Sequence, residues 1–186
     1  MSVTGTHRAE PADLAQRPVS QASAVVPTAG AMRDLGARLA TLLRPGDLVV
    51  LGGDLGAGKT TFTQGIGAAL GVRGAVTSPT FVIARVHPAL DGGSALVHVD
   101  AYRLGSLAEV DDLDLDASLA ESVTVIEWGE GLVEDLAPDR LEVRLRRPHG
   151  SAGGPDDAAT GQDAPRTVGF AGFGARWVGV DLPDAP

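Results

Sequence analysis

Apolar residues recur at helical spacing in two segments of the chain, and each segment predicts one amphipathic helix. The first helix follows Thr28, a residue type that caps helix N-termini, and ends before the breaker sequence at 45–47. The second ends at Gly71, which is placed as a C-terminal stop. Their apolar positions are Met32, Leu35, Leu39, Leu42 and Leu43 in the first, and Phe62, Ile66, Ala69 and Leu70 in the second. The first helix is therefore followed by the strand that precedes the second helix.

Short runs of β-branched and aliphatic residues predict strands between and after these helices. The runs are 48–51, 95–100 and 122–127 for buried strands, 82–86 and 141–145 for further strands, and 167–170 with 177–180 for a closing hairpin. In the run at 141–145 apolar residues alternate with charged ones, which is typical of a half-exposed strand. This order of elements predicts a P-loop NTPase-like α/β fold. We expect a mainly parallel sheet sandwiched by helices, with antiparallel strands near the C-terminus.

Composition predicts one folded domain at 25–182, flanked and interrupted by segments that lack core-forming residues. Residues 1–24 are rich in Ala, Pro, Ser and Gln without periodicity, which predicts a disordered leader. Positions 148–165 contain no Val, Ile, Leu or aromatic residue and predict a flexible insertion, and 183–186 form a short tail. With 186 residues and a hydrophobic fraction of 44%, the chain is long enough for one domain with its own core.

The sequence from Gly53 to Thr60 fits the P-loop pattern G-x-x-x-x-G-K-[ST] in full. A polyphosphate needs several inward-pointing backbone N–H groups, and the chain wraps that closely only where side chains are absent. Lys59, the only lysine of the chain, would reach the β- and γ-phosphates, and the Thr60 hydroxyl would take one position on Mg²⁺. The residues predicted to bind the nucleotide are Gly53, Asp54, Leu55, Gly56, Ala57, Gly58, Lys59, Thr60 and Thr61.

Two of the buried-strand runs end on an acidic residue, Asp100 and Glu127. In parallel α/β sheets ligands lie beyond the carboxyl ends of the strands, so both acids are well placed for a site. Glu127 ends an apolar, β-branched run, which is the pattern with which P-loop NTPases hold Mg²⁺ and water. Asp100 has a second interpretation, as a helix N-cap or as the ion-pair partner of Arg103.

Three further positions near these acids also have two interpretations each. Ser78 and Thr80 flank Pro79, and their hydroxyls fit either turn formation or a switch-like loop near Mg²⁺ and the γ-phosphate. Trp128 follows Glu127 and is predicted to cap the core, with packing against the nucleotide as the alternative.

Charge and composition narrow the possible partners and the compartment. A formal net charge of -9 argues against direct binding of nucleic acid by the surface as a whole, so a role linked to RNA would work through partners. With no cysteine, the chain has neither a disulfide framework nor a thiolate metal site. It also lacks a signal-peptide layout and any run of about 18 apolar residues, so we expect a cytoplasmic protein.

Four sequence blocks, in order along the chain, carry a family resemblance. They are Gly-Asp-Leu-Gly-Ala-Gly-Lys-Thr-Thr-Phe at 53–62, Ser-Pro-Thr-Phe at 78–81, His-Val-Asp-Ala-Tyr-Arg-Leu at 98–104 and Ile-Glu-Trp at 126–128. Together they resemble the bacterial TsaE family of P-loop ATPases, which are needed to make threonylcarbamoyladenosine (t6A) beside the tRNA anticodon. The resemblance covers residues 28–145, so nothing is carried over to the leader or to the insertion at 148–165.

The resemblance implies binding of ATP and Mg²⁺, with Thr60 and Glu127 on the metal side and Asp100 important for catalysis. With the P-loop lysine, the candidate catalytic residues are Asp100, Glu127 and Lys59, and Thr28 is the nearest match to the family's adenosine-side contact. The resemblance also implies that the protein acts with the TsaD and TsaB subunits. Its contact with tRNA would then be indirect, and no membrane would be involved. ATP hydrolysis would be slow without these partners. It would reset their complex rather than transfer the threonylcarbamoyl group.

Other classes of protein share the P-loop and stay open as alternatives. A small-molecule kinase would use Asp100 as a base for a substrate hydroxyl, but no clear arginine cluster for a phosphate lid follows the strands. A nucleotide-bound scaffold without turnover is the non-enzyme alternative. A GTPase is disfavoured because the chain contains no asparagine and so lacks the N-K-x-D guanine-reading motif, which favours adenine over guanine nucleotides.

Overall fold

Seven strands and two α-helices make up the part of the chain that the computed structural model describes, which is residues 17–79, 82–103, 120–131, 137–147 and 164–184. The strands are β1 (Ser20–Val26), β2 (Leu48–Gly53), β3 (Ala84–His87), β4 (Ala95–Asp100), β5 (Ser122–Glu127), β6 (Arg140–Arg146) and β7 (Arg166–Phe173). The helices are α1 (Ala29–Ala40) and α2 (Lys59–Ala69). Two short 3₁₀ turns follow strands, at Ala101–Arg103 and Ala175–Trp177.

All seven strands belong to one sheet, in the order β1-β7-β6-β2-β5-β4-β3. The centre is parallel, since β2 pairs with both β5 and β6, and β5 pairs with β4. The edges are antiparallel, with β3 on β4 at one side and β7 and β1 beyond β6 at the other. The predicted α/β fold, with antiparallel strands near the C-terminus, is confirmed. The carboxyl ends of the four parallel strands meet at one edge of the sheet, where ligands bind in such folds.

Successive strand residues alternate between two apolar layers, one on each face of the sheet. Val49 and Leu51 of β2 join the layer that contains the buried side chains of α1 and α2. Leu48 and Val50 join the opposite layer, with Val97, Val99, Ala101 and Ile126. Both helices in the described part of the chain therefore cover the same face. Segments 104–119 and 132–136 lie outside the described residues.

The two helices cross at close range because each presents a glycine to the backbone of the other. A Cβ added at Gly36 of α1 would lie 2.3 Å from the Phe62 carbonyl oxygen, and one at Gly65 of α2 would lie 2.0 Å from that of Arg33. Thr28 caps α1 as predicted, because its hydroxyl accepts a 3.1 Å hydrogen bond from the Ala31 N–H. Neither helix of the described chain is long and apolar enough to cross a membrane.

The predicted leader at 1–24 is wrong at its C-terminal end, because Ser20–Val26 is an edge strand that pairs with β7. The strand alternates in burial, with Ala24 and Val26 inside and Ser23 and Val25 exposed. Its inward residues are small and partly polar, so the sequence carried little hydrophobic signal. Pairing with β7 therefore decides this element, and the domain begins before residue 25. Residues 1–16 lie outside the described part of the chain, as do residues 148–163 of the insertion predicted at 148–165.

Two further boundaries differ from the predictions. The strand expected at 82–86 begins only at Ala84, because the N–H groups of Val82 and Ile83 bond to the Pro79 carbonyl and Ile83 has a φ of 66°. Trp177 does not return as a strand and instead lies fully buried in a 3₁₀ turn, against Gly172 of β7. The predicted closing hairpin is therefore wrong for 177–180, since both edges of β7 are already paired, with β1 and β6.

Candidate functional site

The P-loop connects the carboxyl end of β2 to the first residue of α2, as the sequence predicts. Gly53 has a φ of 127°, and a Cβ there would lie 2.1 Å from the Leu145 carbonyl oxygen, so no other residue fits without displacing β6. Gly58 is the N-cap of α2 with a φ of 107°, and it offers no capping side chain. No side chain caps the helix start, and uncapped N–H groups at a helix N-terminus are suited to bind an anion.

Lys59 is folded back over the loop, and the residue as a whole is only 5% exposed. Its ammonium donates hydrogen bonds to the carbonyl oxygens of Gly53 at 2.7 Å and Asp54 at 3.0 Å. The same nitrogen lies 3.4 Å from the centroid of the Trp128 ring, a cation–π contact. Burial lowers the pKa of Lys59 from its ordinary value, while the carboxylate of Glu127 is the largest of the charges that oppose this shift.

Thr60 and Glu127, the predicted metal-side pair, are in direct contact. The Thr60 hydroxyl donates to the Glu127 carboxylate, with Oγ1 2.9 Å from Oε1 and 3.2 Å from Oε2. Glu127 is only 3% exposed, because it ends a strand that lies between β2 and β4 in the sheet. The first turn of α2 thus meets the carboxyl end of β5.

Asp100 lies beside Glu127, because β4 and β5 are parallel and the two acids are direct partners in the strand register. The Asp100 carboxylate accepts a hydrogen bond from the Ser78 hydroxyl at 3.2 Å and one from the Tyr102 N–H at 3.0 Å. The capping interpretation is therefore correct for its local contact, since Asp100 starts the 3₁₀ turn after β4. Asp100 also lines the same cleft as Glu127, so capping does not remove it from the site.

These side chains surround a cleft of 340 Å³ at the end of the sheet. Its lining residues are Leu55, Gly56, Gly58, Lys59, Thr60, Thr61, Ser78, Asp100, Glu127 and Trp128. A smaller hollow of 80 Å³ adjoins it through shared residues of the loop, and Thr28 lies there with Met32 and Arg166. Hollows of 670 and 660 Å³ along β1 include no residue of the loop, and one of 470 Å³ is lined by Gly53 and Asp54, so convergent chemistry rather than volume marks the site.

Most of the predicted binding residues are brought together, and the exceptions have clear positions. Gly53 and Asp54 line a separate hollow behind the loop, with Arg146 and Arg147. Ala57 is fully buried and packs in the core with the helices, so it can offer only its backbone to a ligand. Thr80 lies outside the described residues, so the switch interpretation of this position has no structural test.

The sequence predictions missed the contact partners that hold the acids and the lysine. His98 is fully buried, and its Nε2 lies 2.8 Å from Glu127 Oε1. Trp128 has a φ of 65°, which is strained for a residue with a side chain, and its ring covers Lys59 rather than only capping the core. Tyr102 packs on Trp128 with ring centroids 5.2 Å apart. The alternation of β4 was a signal for His98, since it shares the strand face of Asp100.

A P-loop between a central strand and a helix, with an acid at the end of the neighbouring parallel strand, defines a P-loop NTPase-like protein. Comparison with known proteins then identifies the family. The family model of TsaE, threonylcarbamoyl adenosine biosynthesis protein TsaE, matches residues 26–152. The chain belongs to the TsaE family and so to the proteins involved in tRNA t6A biosynthesis.

Relatives and a solved structure agree with this assignment. A tRNA threonylcarbamoyladenosine biosynthesis protein TsaE from Streptomyces coelicolor is 61% identical over 152 residues, which cover 81% of this chain and 97% of the relative. One from Bacillus subtilis is 41% identical over 109 residues, 58% of this chain and 66% of the relative. The crystal structure of Bacillus subtilis YdiB matches with a TM-score of 0.63 and 30% identity, covering 86% of this chain and 90% of that one.

Proposed function

We propose that this protein is a Mg²⁺-dependent ATPase that acts with TsaB and TsaD in t6A modification of tRNA. In this proposal ATP hydrolysis resets the complex, and this protein does not itself transfer the threonylcarbamoyl group. The observation that carries the proposal is the direct contact between the Thr60 hydroxyl and the Glu127 carboxylate at the mouth of the P-loop.

The geometry of the loop supports binding of a nucleotide polyphosphate. The uncapped start of α2 offers N–H donors, and its dipole favours an anion at that end. Lys59 is bound to two loop carbonyl oxygens, which are weaker partners for an ammonium than phosphate oxygens. When a phosphate enters the cleft, Lys59 would therefore exchange its neutral carbonyl acceptors for charged phosphate oxygens. The lysine is already in position for this exchange.

The donor set around Thr60 fits Mg²⁺. The cleft supplies a hydroxyl oxygen and carboxylate oxygens, which are the hard ligands that Mg²⁺ prefers. Among the described residues no group of three or more His, Cys, Asp and Glu is suited to holding a metal by itself. That suits an ion held by one or two protein ligands, with water and the phosphates of the substrate completing the shell. Thr60 and Glu127 would hold the ion, which would neutralise charge on the β- and γ-phosphates.

Asp100 is the second acid of the cleft, and its fixed position supports a role at the reacting phosphate. The Ser78 hydroxyl and the Tyr102 N–H hold its carboxylate, so it enters the site in one orientation. A carboxylate beside the metal-side acid can orient a water molecule for attack on the γ-phosphate. Asp100 would therefore orient the water molecule, and Glu127 would hold the metal ion.

The rim of the cleft supports the action of partner proteins. Leu55, at the tip of the loop, is 83% exposed, and Tyr102 is 65% exposed. Leu55 lines the cleft and Tyr102 packs on Trp128 of its lining, so both apolar side chains lie where a partner protein would cover the cleft. With a net charge of -9, the chain is suited to meet tRNA through its protein partners.

Glu127→Gln tests the proposed function most directly, because it removes the charge but keeps the size of the side chain. Affinity comes mainly from the phosphate loop, so we expect ATP affinity measured by calorimetry to fall only modestly. Multiple-turnover tRNA modification in a reconstituted system with TsaB and TsaD should collapse. Asp100→Asn should behave similarly if Asp100 acts at the γ-phosphate and should spare turnover if it acts only as a cap.

Lys59→Ala is the matched control, since it should weaken ATP binding itself by about 2 kcal/mol or more, roughly 30-fold. Wild-type turnover by Glu127→Gln would refute Glu127 as the metal-side acid. ATP binding without phosphate release, even with both partners present, would favour a nucleotide-bound scaffold. Unchanged ATP affinity in Lys59→Ala would refute the P-loop assignment.

A further inference from the structure

His98 is the one fully buried histidine in the described part of the chain, and it contacts the central acid of the site. It lies on β4, two residues before Asp100, so both side chains project from the same face of the sheet. Its Nε2 is 2.8 Å from Glu127 Oε1, and neither side chain is more than 4% exposed. A contact of this length between two buried polar groups is a hydrogen bond, with the ring as donor.

The contact fixes the tautomer of the imidazole. An ionised carboxylate only accepts hydrogen bonds, so the Nε2 of His98 carries the proton. The ring Nδ1 has no hydrogen-bond partner among the described residues. His98 therefore directs its Nε2–H donor at Glu127.

Glu127 is held from two sides by different elements. The Oε1 atom accepts from both His98 of β4 and Thr60 of α2, while Oε2 lies farther from the Thr60 hydroxyl at 3.2 Å. A glutamate side chain has three rotatable bonds, so one contact at its tip leaves several orientations open. The second contact, from a rigid central strand, restricts the carboxylate and leaves Oε2 as its less engaged oxygen.

We propose that His98 is a positioning residue that orients the Glu127 carboxylate for Mg²⁺. The inference rests on the proposed function, because it assigns to His98 an effect on a metal that Glu127 and Thr60 would hold. His98 does not line the cleft, so it acts only through Glu127. Hydrogen bonds of this kind fix the direction of metal ligands, and their removal typically costs 10–100-fold in metal affinity or activity.

Two substitutions of His98 separate the hydrogen bond from the packing of the ring. Glutamine places an amide N–H near the position of the imidazole Nε2, so His98→Gln keeps the donor. His98→Leu fills a similar volume without a donor. The matched control is His87→Leu, which removes another buried imidazole, one that has no contact with Glu127.

The first measurement uses ATP binding and needs no turnover. Affinity is measured by calorimetry with Mg²⁺ and with EDTA, and the ratio gives the gain in affinity from the metal. His98→Leu should leave affinity in EDTA within about twofold and reduce the gain from Mg²⁺ by about as much as Glu127→Gln reduces it. His98→Gln should restore most of this gain, and His87→Leu should match the wild type.

The second measurement is turnover in the system with TsaB and TsaD. His98→Leu should lower kcat by about 10–100-fold with little change in KM for ATP. Combining it with Glu127→Gln should add little to the loss from Glu127→Gln alone, since both act through one carboxylate. Melting curves establish whether each variant is folded. If His98→Leu is not folded, the measurements on His98→Gln still decide the test.

The outcomes distinguish this inference from the function on which it rests. A wild-type gain from Mg²⁺ in His98→Leu, with Glu127→Gln inactive, would overturn the role of His98 and leave the proposed function intact. Equal losses in His98→Gln and His98→Leu would also overturn it, because the ring rather than the donor would then matter. Full turnover by Glu127→Gln would refute the proposed function itself.

Discussion

Buried polar side chains gather where the P-loop meets the carboxyl ends of the central strands. Lys59, Asp100 and Glu127 are each at most 5% exposed, although charged groups are costly to remove from water. Their contacts offset part of that cost, since each has hydrogen-bond partners within the site. Such concentrations of buried charge are typical of functional sites, where fixed groups meet a charged ligand. The same burial controls the ionisation of a histidine outside the cleft.

His87 carries a residue-scale prediction on pH. Burial lowers the pKa of His87 below its ordinary value of 6.5, and the nearby His98 and Arg85 lower it further, while a hydrogen bond with the Arg73 backbone raises it. The folded protein therefore resists protonation at His87, while the unfolded chain takes up a proton near pH 6.5. Stability from this group is complete above pH 6.5 and is lost as the pH falls toward the folded-state pKa.

His87→Leu should therefore make the free energy of unfolding less dependent on pH between about 7.5 and 5.5. The difference in slope should be at most about 1.4 kcal/mol per pH unit, the value for one proton. Denaturant unfolding at several pH values measures it. The comparison must be between the two proteins, because lowering the pH also reduces repulsion in a chain of charge -9. Parallel pH profiles would contradict the prediction.

The crossing of α1 and α2 is the element-scale feature that aligns the site. Gly36 and Gly65 bring the two helix backbones together, so that Thr28 at the start of α1 lies next to the loop before α2. The close approach depends on the missing Cβ atoms. A methyl group at either position would separate the helices and change the angle at which α2 presents Lys59 and Thr60.

Gly36→Ala should destabilise the fold by about 1–3 kcal/mol, because its Cβ would lie 2.3 Å from the Phe62 carbonyl oxygen and the helices must move apart. Gly30→Ala on the same helix is the matched control, since its nearest neighbour would be the Thr28 hydroxyl at an ordinary 3.6 Å. There the gain in helix propensity, up to about 1 kcal/mol, should dominate. Denaturant unfolding and ATP affinity measure both variants. Equal stability of the two would show that the crossing adapts.

Elements whose signal is local could be predicted, and elements defined by pairing could not. The buried strand at 122–127 and the cap at Thr28 carry their own patterns, so the structure agrees with them. The strand at Ser20–Val26 has a weak hydrophobic pattern and forms because it pairs with the edge of β7. The site divides in the same way. The P-loop and the acids follow from the sequence pattern, whereas the contact from His98 to Glu127 depends on two strands lying side by side.

At the scale of the whole molecule, hydrogen bonds connect the C-terminal end of the described chain to its N-terminal half. Arg176, in the 3₁₀ turn after β7, donates hydrogen bonds to both carboxylate oxygens of Asp47 at 2.8 and 2.9 Å and to the Leu42 carbonyl at 2.7 Å. Asp47 is 4% exposed and lies just before β2. A buried bidentate pair of this kind ties β7 to the entrance of the P-loop strand. The two strands β6 and β7 are thus held independently of the segment between them.

That independence leads to a prediction for the insertion at 148–165. Arg146 of β6 and Thr167 of β7 are paired in the antiparallel register, so both ends of the segment are held close together by the sheet. Removing residues 149–164 leaves a short connection of the length found in β-hairpins. The deleted residues include no Val, Ile, Leu or aromatic side chain. Shortening the loop should even favour folding by about 1 kcal/mol through closure entropy.

We therefore expect the protein without 149–164 to keep its melting temperature within about 3 °C and its ATP affinity within about twofold. The contrasting variant lacks residues 1–26 and so loses β1, with the buried side chains of Ala24 and Val26. Loss of that strand should lower the melting temperature by about 5 °C or more, at about 2–4 °C for each kcal/mol. Thermal unfolding and calorimetry compare both deletions with the full chain. A large fall on removing 149–164 would mean that polar and small residues there make contacts on which the sheet depends.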